Sequence, residues 1–147
     1  MKKFVFSLEK VLGYKRQVLD LLKNELSRLQ AQCRELERQI EHGNREFENT
    51  NHLLIVKMRH GMTPQDIAAY KSYLGDLNRR VLALQQEKQK AAQAVAAKQE
   101  EIVRMNSDIS GLEHLKDRQL ADYRSQERKE QETLVEEFVG HSRIRVG

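Results

Sequence analysis

The stretch His60-Gly61-Met62-Thr63-Pro64-Gln65-Asp66 decides how this chain folds. It holds the single proline among 147 residues, and its signals read as a stop followed by a start. Gly61 suits the position just past a helix, where a left-handed backbone is needed. Thr63 is a good N-cap. Pro64 is a good first helical residue, because the N–H it lacks would have no helical partner there. Asp66, three residues after the cap, favours the positive end of the next helix. A connection this short folds the two helices back antiparallel.

Upstream of the break, every seventh residue from Leu12 is apolar: Leu12, Leu19, Leu26, Cys33, Ile40, Phe47 and Leu54. The interleaved positions are Leu8, Lys15, Leu22, Leu29, Leu36, Gly43, Thr50 and Lys57. This 3–4 spacing is the seam of a coiled coil. Downstream the seam resumes as Ile67, Leu74, Val81, Lys88, Val95, Ile102 and Ile109, interleaved with Tyr70, Leu77, Leu84, Ala91, Lys98, Met105 and Leu112. It then fails, with Lys116, Gln119, Gln126 and Glu130 in its places. Reflection through Met62 sets Leu8 opposite Lys116. The second seam therefore fails where the first arm runs out of residues.

The expected fold is all-α: a long two-helix antiparallel coiled-coil hairpin with an overhanging C-terminal helix. It is read as one domain over 1–147, with helix 1 about 8–60, a turn at 61–63, helix 2 about 64–139 and a frayed tail at 140–147. Composition agrees. Ala, Glu, Lys, Leu and Arg supply 70 of 147 residues, a fraction typical of long helices. Favourable i,i+4 charge pairs are expected at Glu41–Arg45, Asp76–Arg80 and Glu100–Arg104.

Several classes drop out. No apolar run exceeds the four residues of Leu53-Leu54-Ile55-Val56, far too short to span a bilayer. Glu9 and Lys10 interrupt the apolar start before it reaches the length of a signal peptide's core. The mature chain is therefore expected to begin at Met1, inside the cell. The lone Cys33 permits no internal disulfide and reads as a packed seam thiol. There is no phosphate-cradling glycine motif. The five histidines lack Glu-x-x-His or HExxH spacing. A two-helix hairpin offers no water-excluding pocket. The expectation is no enzyme, no cofactor and no metal.

Charge is uneven. Residues 1–34 carry eight cations against three carboxylates, a net of +5, so the remainder of this +4 chain is −1. No aromatic array accompanies the basic start, so nucleic acid is not an expected partner. Two apolar features lie outside the seam: Phe4, Val5 and Phe6 before it, and Leu134, Val135, Phe138 and Val139 on the overhang. Both fall at the open end of the hairpin. An i,i+4 apolar face on an unpaired helix reads as a ligand for another protein's groove.

Phe4-x-Phe6-x-Leu8-Glu9-x-Val11-Leu12-x-x-Lys15-Arg16 resembles the amino-terminal pattern of the FliJ family of flagellar export proteins. Gly61-Met62 followed by Tyr70-x-x-Tyr73-Leu74-x-x-Leu77 resembles that family's turn and second-helix start. The resemblance implies an antiparallel coiled coil similar to the central stalk of rotary ATP synthases. It implies a non-enzymatic part of the flagellar type III export apparatus, on the cytoplasmic side of the cell membrane at the flagellar base and peripheral to that membrane. The implied partners are the hexameric export ATPase FliI, the export gate protein FlhA and export chaperones. Carried onto this sequence, the ATPase-ring contact falls on Phe4, Phe6, Leu8 and Leu12, with Phe138 from the tail. The gate contact falls on Tyr73 and Leu77, followed by Arg80 and Leu84, which depart from the small and polar residues of the family. Lys15 and Arg16 are expected to complement an acidic ring lining. The competing readings are an injectisome stalk, a structural scaffold dimerising through its overhang, and a non-specific nucleic-acid binder.

Overall fold

The structure, a computed structural model, describes residues 2–146 and the side chains of residues 2–142. It contains two helices, α1 (Glu9–His60) and α2 (Pro64–Val146), and no strand among the described residues. The two pack against each other as an all-α helical hairpin. Gly61 takes φ 98°, a conformation that costs a residue without Cβ nothing. The Thr63 hydroxyl accepts the Asp66 N–H at 3.1 Å, capping α2. At the other end of α1, Glu9 N–H donates to the Phe6 carbonyl at 3.1 Å, which starts the helix just after Leu8.

One boundary differs from the sequence reading. α2 continues as helix through 140–146, where a frayed tail was expected. Gly140 lowers helix propensity by about 1 kcal/mol, but no proline follows it to stop the helix. Gly147, like Met1, lies outside the described residues.

The buried residues are those of the two seams. Leu12, Leu36 and Leu54 of α1 and Leu74, Leu77, Val81, Ala91 and Ile109 of α2 are each less than a tenth exposed. Among the described residues, Phe6 is the one buried residue that precedes the seam. Contacts divide the chain into two units, each built from both helices: Met1–Asp20 with Ile102–Gly147, and Leu21–Glu101.

In the second unit, Lys98 reaches Glu25 at 2.7 Å and Lys88 reaches Glu37 at 3.1 Å. Lys57 donates to the Tyr70 hydroxyl at 2.6 Å. Lysine is tolerated in these seams because its stem packs while its ammonium reaches a partner at the edge. Each pairing fits reflection through Met62 to within one helical turn. Gly43 marks a close approach of the helices: a Cβ built on it would stand 2.7 Å from Val81 Cγ2. Arg45 pairs with Glu41 at 3.3 Å. Asp76 pairs with Arg79 rather than with the expected Arg80. Residues three and four apart both lie within reach on a helix, and Arg79 takes the carboxylate.

In the first unit, Phe6, Leu12 and Ile109 form a core with Leu8, Leu19, Met105, Leu112 and Leu115 packed around it. Lys15 meets Asp108 at 3.0 Å, and Lys116 meets Glu9 at 2.8 Å. The segment before α1 is not a loose leader. It runs back along α2 as a strap, and Phe4 stacks on Tyr123 with ring centroids 5.5 Å apart.

Candidate functional site

The strap sets where α2 loses its cover. Tyr123 donates its hydroxyl proton to the carbonyl of Lys2, the first described residue. The uncovered part of α2 therefore begins after Tyr123, about two turns later than the sequence reading placed it. Beyond that point the seam positions hold Gln126, Glu130, Thr133, Glu137 and Gly140. The apolar residues have moved to another face. Leu134, Val135 and Phe138 are 65%, 61% and 72% exposed, and Val139 is also exposed. The row is therefore not a continuation of the seam with α1.

The sequence-derived ring residues separate into two groups. Phe6 and Leu12 are buried, and Phe4 and Leu8 are half-buried against the same core. They pack the strap and the hairpin together, with Phe4 and Leu8 still partly exposed. Lys15 and Arg16 are engaged internally, Lys15 by Asp108 and Arg16 by Glu113 at 3.0 Å. Their charge is answered within the chain. Phe138 alone of the set stands free.

The sequence-derived gate residues lie in the second unit. Tyr73 is 43% exposed and donates to a Glu46 carboxylate oxygen. That bond, with lesser help from desolvation, pushes the tyrosine pKa up. Leu77 is buried in the seam. Leu77, Arg80 and Leu84 nevertheless share one cavity of about 60 Å³ with Gly43 and His42 of α1. This notch is lined by side chains of both helices. Nearby, hydrogen bonds from Arg38 and Gln39 hold the Glu35 carboxyl down to about 2. The Lys98 hydrogen bond likewise lowers Glu25, and the Glu25 bond raises Lys98.

The sequence model for the flagellar FliJ protein matches residues 4–146, from the strap through the whole of α2. The chain belongs to the FliJ family. No curated protein and no solved structure matches it. FliJ membership makes the chain a component of the flagellar export apparatus, in a family of structural export components rather than enzymes. No helix among the described residues is long and apolar enough to cross a membrane. No group of three or more His, Cys, Asp or Glu among them could hold a metal ion.

Sequence reasoning missed the strap's partner in this FliJ chain. Leu115, Leu120 and Tyr123 were visible as an apolar cluster past the end of the seam. Phe4 and Phe6 were visible as two aromatics before its start. Each needed a partner, and reflection through Met62 brings the two sets to the same level.

Proposed function

We propose that this chain acts as a stalk of the export apparatus, entering the centre of the hexameric export ATPase ring with the uncovered end of α2. The observation that carries the reading is the exposed row Leu134, Val135, Phe138 and Val139, displaced from the seam and lying past the end of the strap. Burying such a row gains roughly 25 cal/mol per Å² of apolar surface, before the cost of association. Phe4 and Leu8 support this contact from beneath by fixing the strap. Phe6 and Leu12 do so as core.

A single hairpin end inside a six-fold ring touches the subunits unequally. Unequal contact biases subunit states differently, which is what coupling between them requires. The gate protein FlhA would meet the notch between Gly43 and Arg80, bordered by Tyr73 and Leu84. Export chaperones are the third partner class. In this reading the chain lies on the cytoplasmic side of the cell membrane at the flagellar base, held there by its partners.

The experiment measures binding of the full chain to the isolated ATPase and to the isolated gate domain. Phe138→Ser lies on an exposed position and leaves folding intact. It is expected to weaken ATPase binding at least ~10-fold, in the range of a hot-spot truncation, and to leave gate binding unchanged. Equal loss at both partners, or at neither, would sink the assignment of the overhang to the ring.

A further inference from the structure

The first unit carries a second exposed apolar row. Val11, Tyr14 and Val18 follow one another at 3–4 spacing, on the flank of α1 rather than in its seam. Val11 is 42% and Tyr14 67% exposed, and Val18 is half-buried. The apolar face of α1 is thus wider than contact with α2 requires. Lys10 stands exposed one turn before Tyr14. Of the five cations in residues 2–16, Lys15 and Arg16 are answered by Asp108 and Glu113, which leaves Lys2, Lys3 and Lys10 to supply positive charge here.

The overhang is the other apolar face in this unit that α1 leaves open, and its charge is opposite. Residues 127–137 carry five glutamates against Arg128 and Lys129, a net of −3. The two faces cannot meet within one chain. Arg16 pairs with Glu113, which fixes the level of the Tyr14 row along α2. Phe138 lies 25 residues farther on the same unbroken helix, roughly 37 Å away at 1.5 Å per residue.

We propose that a second copy of this chain brings them together, with the overhang of each copy lying along the Val11–Tyr14–Val18 row of the other. Two sites displaced along one axis meet reciprocally when two copies run antiparallel. The arrangement closes as a twofold dimer with two identical contacts. Four helix faces of this size bury on the order of 1,200 Å² in all, the low end for a specific interface. The dimer is therefore weak and reversible. Acidic against basic flanks fix its direction and speed its formation. The inference stands on these two faces and not on the ring contact, with which the dimer competes for Phe138. Free chain would keep its overhang covered until the partner displaces the second copy.

Sedimentation velocity of the full chain, from micromolar to sub-millimolar concentration, tests this. A monomer–dimer equilibrium is expected, weakened by added salt. Tyr14→Lys and Phe138→Ser, both at exposed positions, should each raise the dissociation constant at least ~10-fold. Tyr14→Lys should not weaken ATPase binding, and should strengthen it where the wild-type chain is dimeric, whereas Phe138→Ser weakens both contacts, which separates this contact from the ring contact. In a Cys33→Ser background, Tyr14→Cys mixed with Phe138→Cys should form an interchain disulfide under mild oxidation. A monomer throughout the range would overturn the proposal. So would a dimer that Tyr14→Lys leaves intact, since that outcome means overhang pairing with overhang.

Discussion

The ring of Phe4, at the start of the chain, lies 5.5 Å from the ring of Tyr123, tilted by 51°. Aromatic pairs in this geometry contribute about 0.5–1.5 kcal/mol beyond area burial. The contact closes the strap over α2 and leaves the helix beyond Tyr123 uncovered. Phe6, 4% exposed, belongs to the core of this unit, two residues from this contact. Phe6→Ala is expected to cost about 3–5 kcal/mol and to speed amide hydrogen exchange in 105–123. Thermal melts and exchange measured by mass spectrometry check this. Unaltered exchange in that segment would show that the strap does not hold it.

Gly43→Ala sets two effects against each other. Alanine gains about 1 kcal/mol of helix propensity over glycine. Its methyl would stand 2.7 Å from Val81 Cγ2, and overpacking costs about 1–3 kcal/mol. Val81 is buried and β-branched, so it has little room to turn away. Net destabilisation is expected, read as a lower melting temperature. Val81→Ala in the same chain should recover part of the loss, although it costs stability when made alone.

Acid should weaken α1, through Glu35, and its pairing with α2, through Glu25, within a defined window. The Glu35 carboxyl is held at about 2, against an ordinary 4.5, by Arg38 and Gln39. Glu25 is lowered by Lys98. A lowered folded pKa means that the stabilisation is fully present above 4.5 and fades as pH falls from there toward about 2. At the alkaline end, raised Lys98 contributes below its ordinary 10.5 and loses that contribution as pH rises through its folded value. The melting temperature should be level near neutrality and fall on both sides. Both carboxylates are solvent-exposed, so the changes are small and shrink further in salt. Glu35→Gln should flatten part of the acid limb.

Lys98 has a side chain 19% exposed and bridges Glu25 and Glu101. Replacing such a charge with an apolar residue of similar length removes a desolvation cost along with the attraction. Lys98→Met is therefore expected to change stability by less than about 1 kcal/mol. Lys98→Glu should destabilise clearly, because it places like charge against Glu25 and Glu101. Parallel chemical denaturation of the two variants measures the contrast.

Much of the fold was legible because each signal is local or periodic. Gly61, Thr63 and Pro64 act through backbone geometry that each residue type imposes alone. The seam residues act through a spacing that survives any tertiary detail. The site was less legible. Phe6 and Phe138 are both aromatics near an open end, and composition cannot tell them apart. One is buried and the other exposed because the strap turns back along α2 and stops at Tyr123, a fact of tertiary packing. Lys15 and Arg16 looked like free charge because Asp108 and Glu113 are more than 90 residues away in sequence.

The most direct test of the stalk is ATP hydrolysis by the export ATPase, titrated with this chain. Wild-type chain is expected to raise the rate. Leu134→Ser combined with Phe138→Ser should abolish that rise while far-ultraviolet circular dichroism stays helical. Val103→Ser, an exposed position on α2 outside the row and 67% exposed, should stimulate like wild type. Full stimulation by the folded double variant would contradict the account.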